Sequence, residues 1–126
     1  MTQNKQVYIE LYNYTQVWRD LPQADRMEFT NAVGAAVNSM AENGADVLGF
    51  GFNDKATDRR APYDFFCLYA LPDTHFAKAF EQEVEASGWY GFFEQKNVSG
   101  LLQSPQTLLA QNAGLAMPDQ KTAQST

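Results

Sequence analysis

Residues 7–14 alternate without a break, with Val7, Ile9 and Leu11 on one side and Tyr8, Glu10, Tyr12 and Tyr14 on the other. Period-two alternation in β-favouring residues predicts a strand. A connection containing Trp18 follows, over residues 15–19. Asp20-Leu21-Pro22-Gln23 then carries a helix-start pattern: Asp20 as cap, Pro22 in the first turn, and Gln23 at the capping-box position. Phe29, Val33, Ala36, Val37 and Met40 recur at helical spacing, so this first helix has one apolar stripe, and Asn43-Gly44 ends it. Residues 46–53 predict a second strand and residues 54–61 a polar loop with Arg59 and Arg60. A third strand covers residues 63–71. Pro72-Asp73 opens a second long helix with the stripe Phe76, Ala77, Phe80 and Val84, closed by Gly88. Part of residues 89–98 is expected to be a fourth strand, its register not fixed by the pattern. Ser104-Pro105 starts a short terminal helix to about residue 115, and residues 116–126 read as a flexible tail.

This order, β-α-β-β-α-β with a terminal addition, is the split βαβ arrangement of ferredoxin-like α+β domains: an antiparallel sheet with both long helices on one face. The expected domain is residues 6–115. In the third strand both alternating sets, Phe65, Cys67, Tyr69, Leu71 and Phe66, Leu68, Ala70, are apolar. A sheet with one wet face shows polar residues there, so the second face is expected to be covered. The simplest cover is the same sheet of a second copy across a two-fold axis, which predicts a homodimer. Each large side chain left bare would forfeit roughly 1.5–3 kcal/mol.

Composition narrows the partners. In 126 residues there is room for one core, and the 44% hydrophobic and 13% aromatic fractions exclude a disordered chain. The net charge of −6 argues against a nucleic-acid partner and against anionic membranes, because only Arg59 and Arg60 stand together. A single cysteine, Cys67, rules out an internal disulfide. The first residues lack the apolar core of a secretory signal and no apolar run approaches the ~20 residues of a membrane span, so a cytoplasmic protein is expected.

Candidate chemistry is sparse. His75, the only histidine, falls in the first turn of the second long helix and reads as exposed; with one His, one Cys and no carboxylate cluster, no metal site is expected. Cys67 reads as a core thiol. Glu10 stands between Tyr8 and Tyr12 on a face expected to be covered, where burial raises a carboxyl pKa and makes a general base; the other reading is an exposed rim position. Asp64, Tyr12, Asn13 and Trp18 converge by topology and, with Arg59 or Arg60, form a polar-aromatic pocket or simple cross-strand pairs. Trp89, Tyr90, Phe93, Glu94 and Asn97 form either a pocket wall, a packing plug or a dimer seam. Gly49-Phe50-Gly51 lies inside a strand and is no nucleotide loop; its glycines point to a bulge or a close backbone approach.

Several segments carry a resemblance: Glu10-Leu11-Tyr12-Asn13 with Trp18, Leu48-Gly49-Phe50-Gly51, Arg60-Ala61-Pro62-Tyr63-Asp64-Phe65-Phe66, and Gly88-Trp89-Tyr90 with Phe93-Glu94 and Asn97. With them the chain resembles the dimeric α+β-barrel superfamily, in which two ferredoxin-like sheets close face to face. More narrowly it resembles an uncharacterised bacterial family of that superfamily, a domain of unknown function. The superfamily includes cofactor-free monooxygenases, lactone isomerases and polyketide cyclases as well as haem-binding enzymes, and the resemblance implies a pocket rather than a particular reaction. The resulting expectation is a small-molecule-binding homodimer with no cofactor, acting as a monooxygenase-, isomerase- or cyclase-like enzyme. Glu10 and Asp64 are its candidate bases. Tyr12, Asn13, Trp18, Phe50, Phe66, Trp89, Glu94 and Asn97 line the site for a small aromatic or apolar ligand. The alternative is a non-catalytic binding or structural dimer module.

Overall fold

The computed structural model describes residues 5–115; the expected tail, residues 116–126, lies outside them. Strand β1 (Gln6–Tyr14) is followed by a short helix α1 (Gln16–Asp20), helix α2 (Gln23–Glu42), strands β2 (Asp46–Phe52) and β3 (Phe65–Leu71), and helix α3 (Thr74–Ala86). A 3-10 turn at Trp89–Gly91, strand β4 (Phe93–Leu101) and helix α4 (Pro105–Gly114) complete the chain. The four strands form one sheet in the order β2-β3-β1-β4, antiparallel at every step. The long alternating strand β1 is central, paired with β3 on one side and β4 on the other.

Register decides what shares a face. Glu10 pairs with Cys67 and with Asn97, and Cys67 pairs in turn with Phe50, so Asn97, Glu10, Cys67 and Phe50 form one row across the sheet. The flanking rows on this face hold Ser99, Tyr8, Tyr69 and Val47, and Gln95, Tyr12, Phe65 and Phe52. Helix α3 packs here, with Phe80 edge-on to both Tyr8 and Tyr69 at 5.2 Å. Helix α2 reaches the same face through Phe29 and Met40, although none of its residues is fully buried.

The first strand's tyrosine face, with Glu10 on it, is therefore covered by the chain's own helices. The opposite face presents Val7, Ile9 and Leu11, Phe66, Leu68 and Ala70, and Val98. No described helix packs on it. Val98 is 58% exposed, and Val7, Ile9, Leu11, Phe66 and Leu68 are half-buried by their neighbours in the sheet alone.

Local chemistry explains the departures from the pattern. Thr15 caps a turn the sequence reads as a plain connection: its side-chain oxygen accepts the Trp18 amide and makes α1 a helix. Asp20 is consumed as the last residue of α1, where its carboxylate accepts from Gln16, so it does not cap α2. Pro22 takes the cap position instead and offers no side-chain hydrogen bond. Within the segment expected to hold the fourth strand, Trp89 turns through the 3-10 segment, and the strand begins at Phe93.

Strand β2 carries a bulge between Val47 and Gly49. Gly49 has φ of 149°, a conformation that residues with a Cβ rarely adopt. At Gly51 a Cβ would come within 2.7 Å of the Phe66 ring, which lies against this backbone. Bulge and close approach thus occur two residues apart.

Asp73 caps α3 through its carboxylate, which accepts the Phe76 amide at 2.8 Å. Leu71, just before it, is fully buried at the junction of sheet and helix. We expect Leu71→Ala to lower unfolding free energy by about 2–5 kcal/mol in urea titration, with the folded-state spectrum unchanged.

Candidate functional site

At the centre of the helix-covered face stands Glu10, 2% exposed. It projects there because β1 alternates, and because the neighbouring strands bring polar atoms to meet it. The Tyr12 hydroxyl donates to Oε1. The Gln95 amide on β4 donates to Oε2 at 3.0 Å. The Tyr69 hydroxyl on β3 is near enough to favour the ionised form as well. Among the described residues no cation pairs with Glu10, and the ion pairs are Arg59 with Asp58 and Lys78 with Glu81, both away from this cluster.

Burial without a countercharge favours the neutral acid, and the hydrogen bonds from Tyr12 and Gln95, with the nearby Tyr69 hydroxyl, favour the anion. Burial prevails and pushes the Glu10 carboxyl up from 4.5 to about 7. The same burial, with the nearby Glu10 charge, drives the Tyr12 and Tyr69 hydroxyls well above the ordinary tyrosine range and the Cys67 thiol up to about 12. Near neutrality the cluster therefore holds one exchangeable proton, on Glu10, among neutral donors. A group poised in this way can accept or deliver a proton.

A second chain of bonds leads outward. Gln95 Nε2 also donates to Asn97 Oδ1 at 2.8 Å, Asn97 Nδ2 donates to the Tyr8 hydroxyl at 3.2 Å, and that hydroxyl donates to Glu81 Oε2 at 2.6 Å. Tyr8, Glu81 and Asn97 line a groove of about 330 Å³ between α3 and β4, together with Lys78, Gln82, Glu85 and Tyr90.

The residues singled out in the sequence separate into distinct places. Glu10 and Tyr12 meet directly, and Asn97 joins them through Gln95. Trp18 and Trp89 belong to an aromatic group at one end of the same face: Trp18 lies 4.7 Å from Phe93, and Trp89 lies 5.1 Å from Tyr12. Phe50 sits edge-on to Tyr69 at 5.9 Å and remains 54% exposed. Phe66 is on the opposite face of the sheet. So are Asn13 and Glu94, which pair across the strands and border a shallow groove of about 550 Å³ with Pro62, Tyr63 and Lys96.

Asp64 is occupied by backbone. Its carboxylate accepts the Tyr14 amide at 3.1 Å, while its own amide and carbonyl tie to Tyr12 and Asn53. The expected convergence of Asp64, Tyr12, Asn13 and Trp18 does not occur, because alternation sends Tyr12 and Asn13 to opposite faces. Arg60 spends its guanidinium on the carbonyls of Asn53, Asp54 and Tyr63. Arg59 pairs with Asp58 in the open. His75 is exposed, as read.

Sequence reasoning passed over Tyr69 and Gln95, both first-rank members of the cluster. Tyr69 was visible as the residue two along from Cys67 in an alternating strand. Gln95 lay in the segment whose register the pattern left open.

The fold and the cluster define a mixed α/β protein: a four-stranded antiparallel sheet with helices on one face and a buried carboxylate beneath them. No described helix is long and apolar enough to cross a membrane. Among the described residues no group of three or more His, Cys, Asp or Glu could hold a metal ion. Residues 5–115 match the model of a family described as a family of unknown function (DUF6616), and the chain belongs to that family. No curated protein matches it.

Glu10 makes stability depend on pH with a definite sign. Between pH 4.5 and about 7 the unfolded chain ionises this carboxyl while the folded chain keeps it protonated. Rising pH therefore favours unfolding through that window, by up to about 3 kcal/mol. Glu10→Gln removes the ionisation. The unfolding free energy of the variant relative to the parent is expected to rise by about 2–3 kcal/mol between pH 4.5 and pH 8, read from urea titrations. A difference that stays flat with pH would mean that Glu10 ionises normally.

Proposed function

We propose that the chain is a ferredoxin-like protomer of a homodimeric α+β barrel. In this reading Glu10 transfers a proton on a small aromatic or apolar ligand without help from a cofactor. The observation that carries the chemistry is the buried Glu10 carboxyl, poised near neutrality among Tyr12, Tyr69 and Gln95. Support for the architecture comes from the sheet order β2-β3-β1-β4, with both long helices on one face. Support for pairing comes from the other face, where Val7, Ile9, Leu11, Phe66 and Leu68 form an apolar surface under no helix. A second copy of the same sheet is the surface that matches it. The aromatic residues beside Glu10, with Phe50 exposed at the end of its row, suit a flat apolar ligand. A lone thiol kept in the core suits a reducing compartment, and we assign the protein to the cytoplasm.

One observation favours the second reading, a non-catalytic binding or structural dimer. Glu10 is closed over at 2% exposure, so a ligand reaches it only if the helix layer or the Tyr8 side yields.

Native mass spectrometry of gently purified protein tests the architecture. A dimer is expected, and Phe66→Asp is expected to yield monomer, because it puts a charge in the middle of the paired face. A parent protein that is monomeric contradicts the pairing, and a variant that stays dimeric with unchanged stability removes this face from the interface. For the chemistry, the ligand that co-purifies would be followed in D₂O by NMR. Glu10→Gln is expected to slow exchange of its acidic C–H protons by about 10²-fold or more while binding persists. Equal exchange in parent and variant selects the non-catalytic reading.

A further inference from the structure

The buried end and the groove end of the hydrogen-bond chain are both carboxylates, Glu10 and Glu81. Between them run Gln95, Asn97 and Tyr8, with every step a single hydrogen bond. The direction of donation is fixed by the ionised form of Glu10: an anion only accepts, so Gln95 must turn its NH₂ toward it. Gln95 then gives its second N–H to Asn97, Asn97 gives to Tyr8, and Tyr8 gives its only proton to Glu81. On its other side the Gln95 carbonyl oxygen is buried and has no hydrogen-bond partner among the described residues. Nothing on that side fixes the amide in its present orientation.

Protonating Glu10 reverses the requirement at Oε2, because Oε1 already accepts from Tyr12 and stays the acceptor. The acid now donates, and Gln95 meets it by turning its carbonyl inward, half a turn about its last bond. Asn97 must then donate to that carbonyl and present its own oxygen to Tyr8. The Tyr8 hydroxyl follows by donating to Asn97, and its bond to Glu81 is lost. Every group on the path remains hydrogen-bonded in both states except the outward atom of Gln95 and the released carboxylate. Glu81 sits at the groove, where its other oxygen keeps Lys78 at 3.3 Å.

We propose that Gln95 and Asn97 are positioning residues of the Glu10 site, and that by turning their amides they report the protonation of Glu10 to Glu81 at the groove between α3 and β4. This rests on the reading of Glu10 as the proton-transferring group and adds to it a surface outlet. When Glu10 is ionised, Tyr8 donates to Glu81 and occupies its Oε2. When Glu10 carries the proton, Glu81 is free to receive a hydrogen-bond donor from a molecule in the groove. The groups facing Glu10 are Tyr12 and Tyr8 on its own strand, Cys67 and Tyr69 on β3, Gln95 and Asn97 on β4, and Tyr90 in the 3-10 turn. The tyrosines and the thiol stay neutral well above pH 7, because burial raises them all. Across the neutral range Glu10 alone switches the chain. Glu81, conversely, is held below the ordinary carboxylate range first of all by the Tyr8 hydrogen bond, so release of Tyr8 changes its electronic environment.

The test is an NMR titration with carbon-13 in the glutamate carboxyls and in the tyrosine rings of the full chain. In the parent protein the Glu81 carboxyl and the Tyr8 ring carbon bearing oxygen are expected to shift a second time at the pH where Glu10 itself titrates, whatever that pH is. In Gln95→Met, Glu10 is expected to keep titrating while the second inflection at Glu81 and Tyr8 disappears. Asn97→Ala, at an exposed position, serves the same purpose if the Gln95 variant does not fold. Glu81 and Tyr8 signals that ignore the Glu10 midpoint in the parent, or that follow it equally in the variants, overturn the relay. The midpoint itself bears separately on the proposed function: near 7 it supports proton transfer at neutral pH, near 4.5 it removes that reading.

Discussion

A carboxylate without a countercharge, enclosed in the middle of the sheet, is the constraint that organises this molecule. Ionised groups are costly to bury unless paired, and among the described residues no cation pairs with Glu10. What it offers are hydroxyl and amide donors delivered by three adjacent strands, at positions that β1, β3 and β4 bring together only in the observed register. Shifting β4 by one residue would replace Gln95 with Glu94 or Lys96 and turn the helix-covered face inside out. The packing of aromatics around the cluster follows from the same demand. Tyr8, Tyr12 and Tyr69 each place an apolar ring against helix or strand and a polar tip near the carboxylate or its outlet.

The two faces of the sheet consequently differ in kind. One is polar at its centre, aromatic at its border and covered at that centre by the chain's own helices. The other is largely apolar and open. A core of this size is shared between sheet and helices rather than buried by one long helix: α2 contributes only a half-buried stripe, while α3 and the Trp18–Phe29–Phe92–Phe93 group supply the denser packing. Helix α4 is exposed along its whole length, so the chain's core does not depend on it.

Much of the fold was legible in the sequence because period and punctuation were strong where it mattered. Alternation across residues 7–14 gave β1, glycine and capping residues bounded the long helices, and Gly49-Phe50-Gly51 correctly announced a bulge and a close approach. Asp20 misled because one acidic residue can end a helix as well as begin one, and the Thr15 cap that created α1 is a three-residue signal. The site was half visible. Glu10 and Tyr12 stood out through their place in the alternation, but their partners come from other strands, and pairing register is a tertiary property. Tyr69 and Gln95 were therefore unmarked, while Asp64, equally acidic and equally near in sequence to aromatics, turned out to bind backbone. Both sets of β3 residues being apolar gave no way to tell the two faces apart. It could not show that the tyrosine set would meet the helices.

Everything assigned to Glu10 depends on the competition between burial and hydrogen bonding, and that competition has a direct readout. Carbon-13 NMR of the glutamate side-chain carboxyls, assigned through Glu10→Gln and followed from pH 3 to pH 9, reports the ionisation of this one group in the folded protein. A midpoint close to 7 is the expected result and would establish a proton held at neutral pH inside the fold. A midpoint near the ordinary 4.5 would contradict the account: Glu10 would then be a fully ionised structural acceptor, and the cluster around it a packing device without acid–base chemistry.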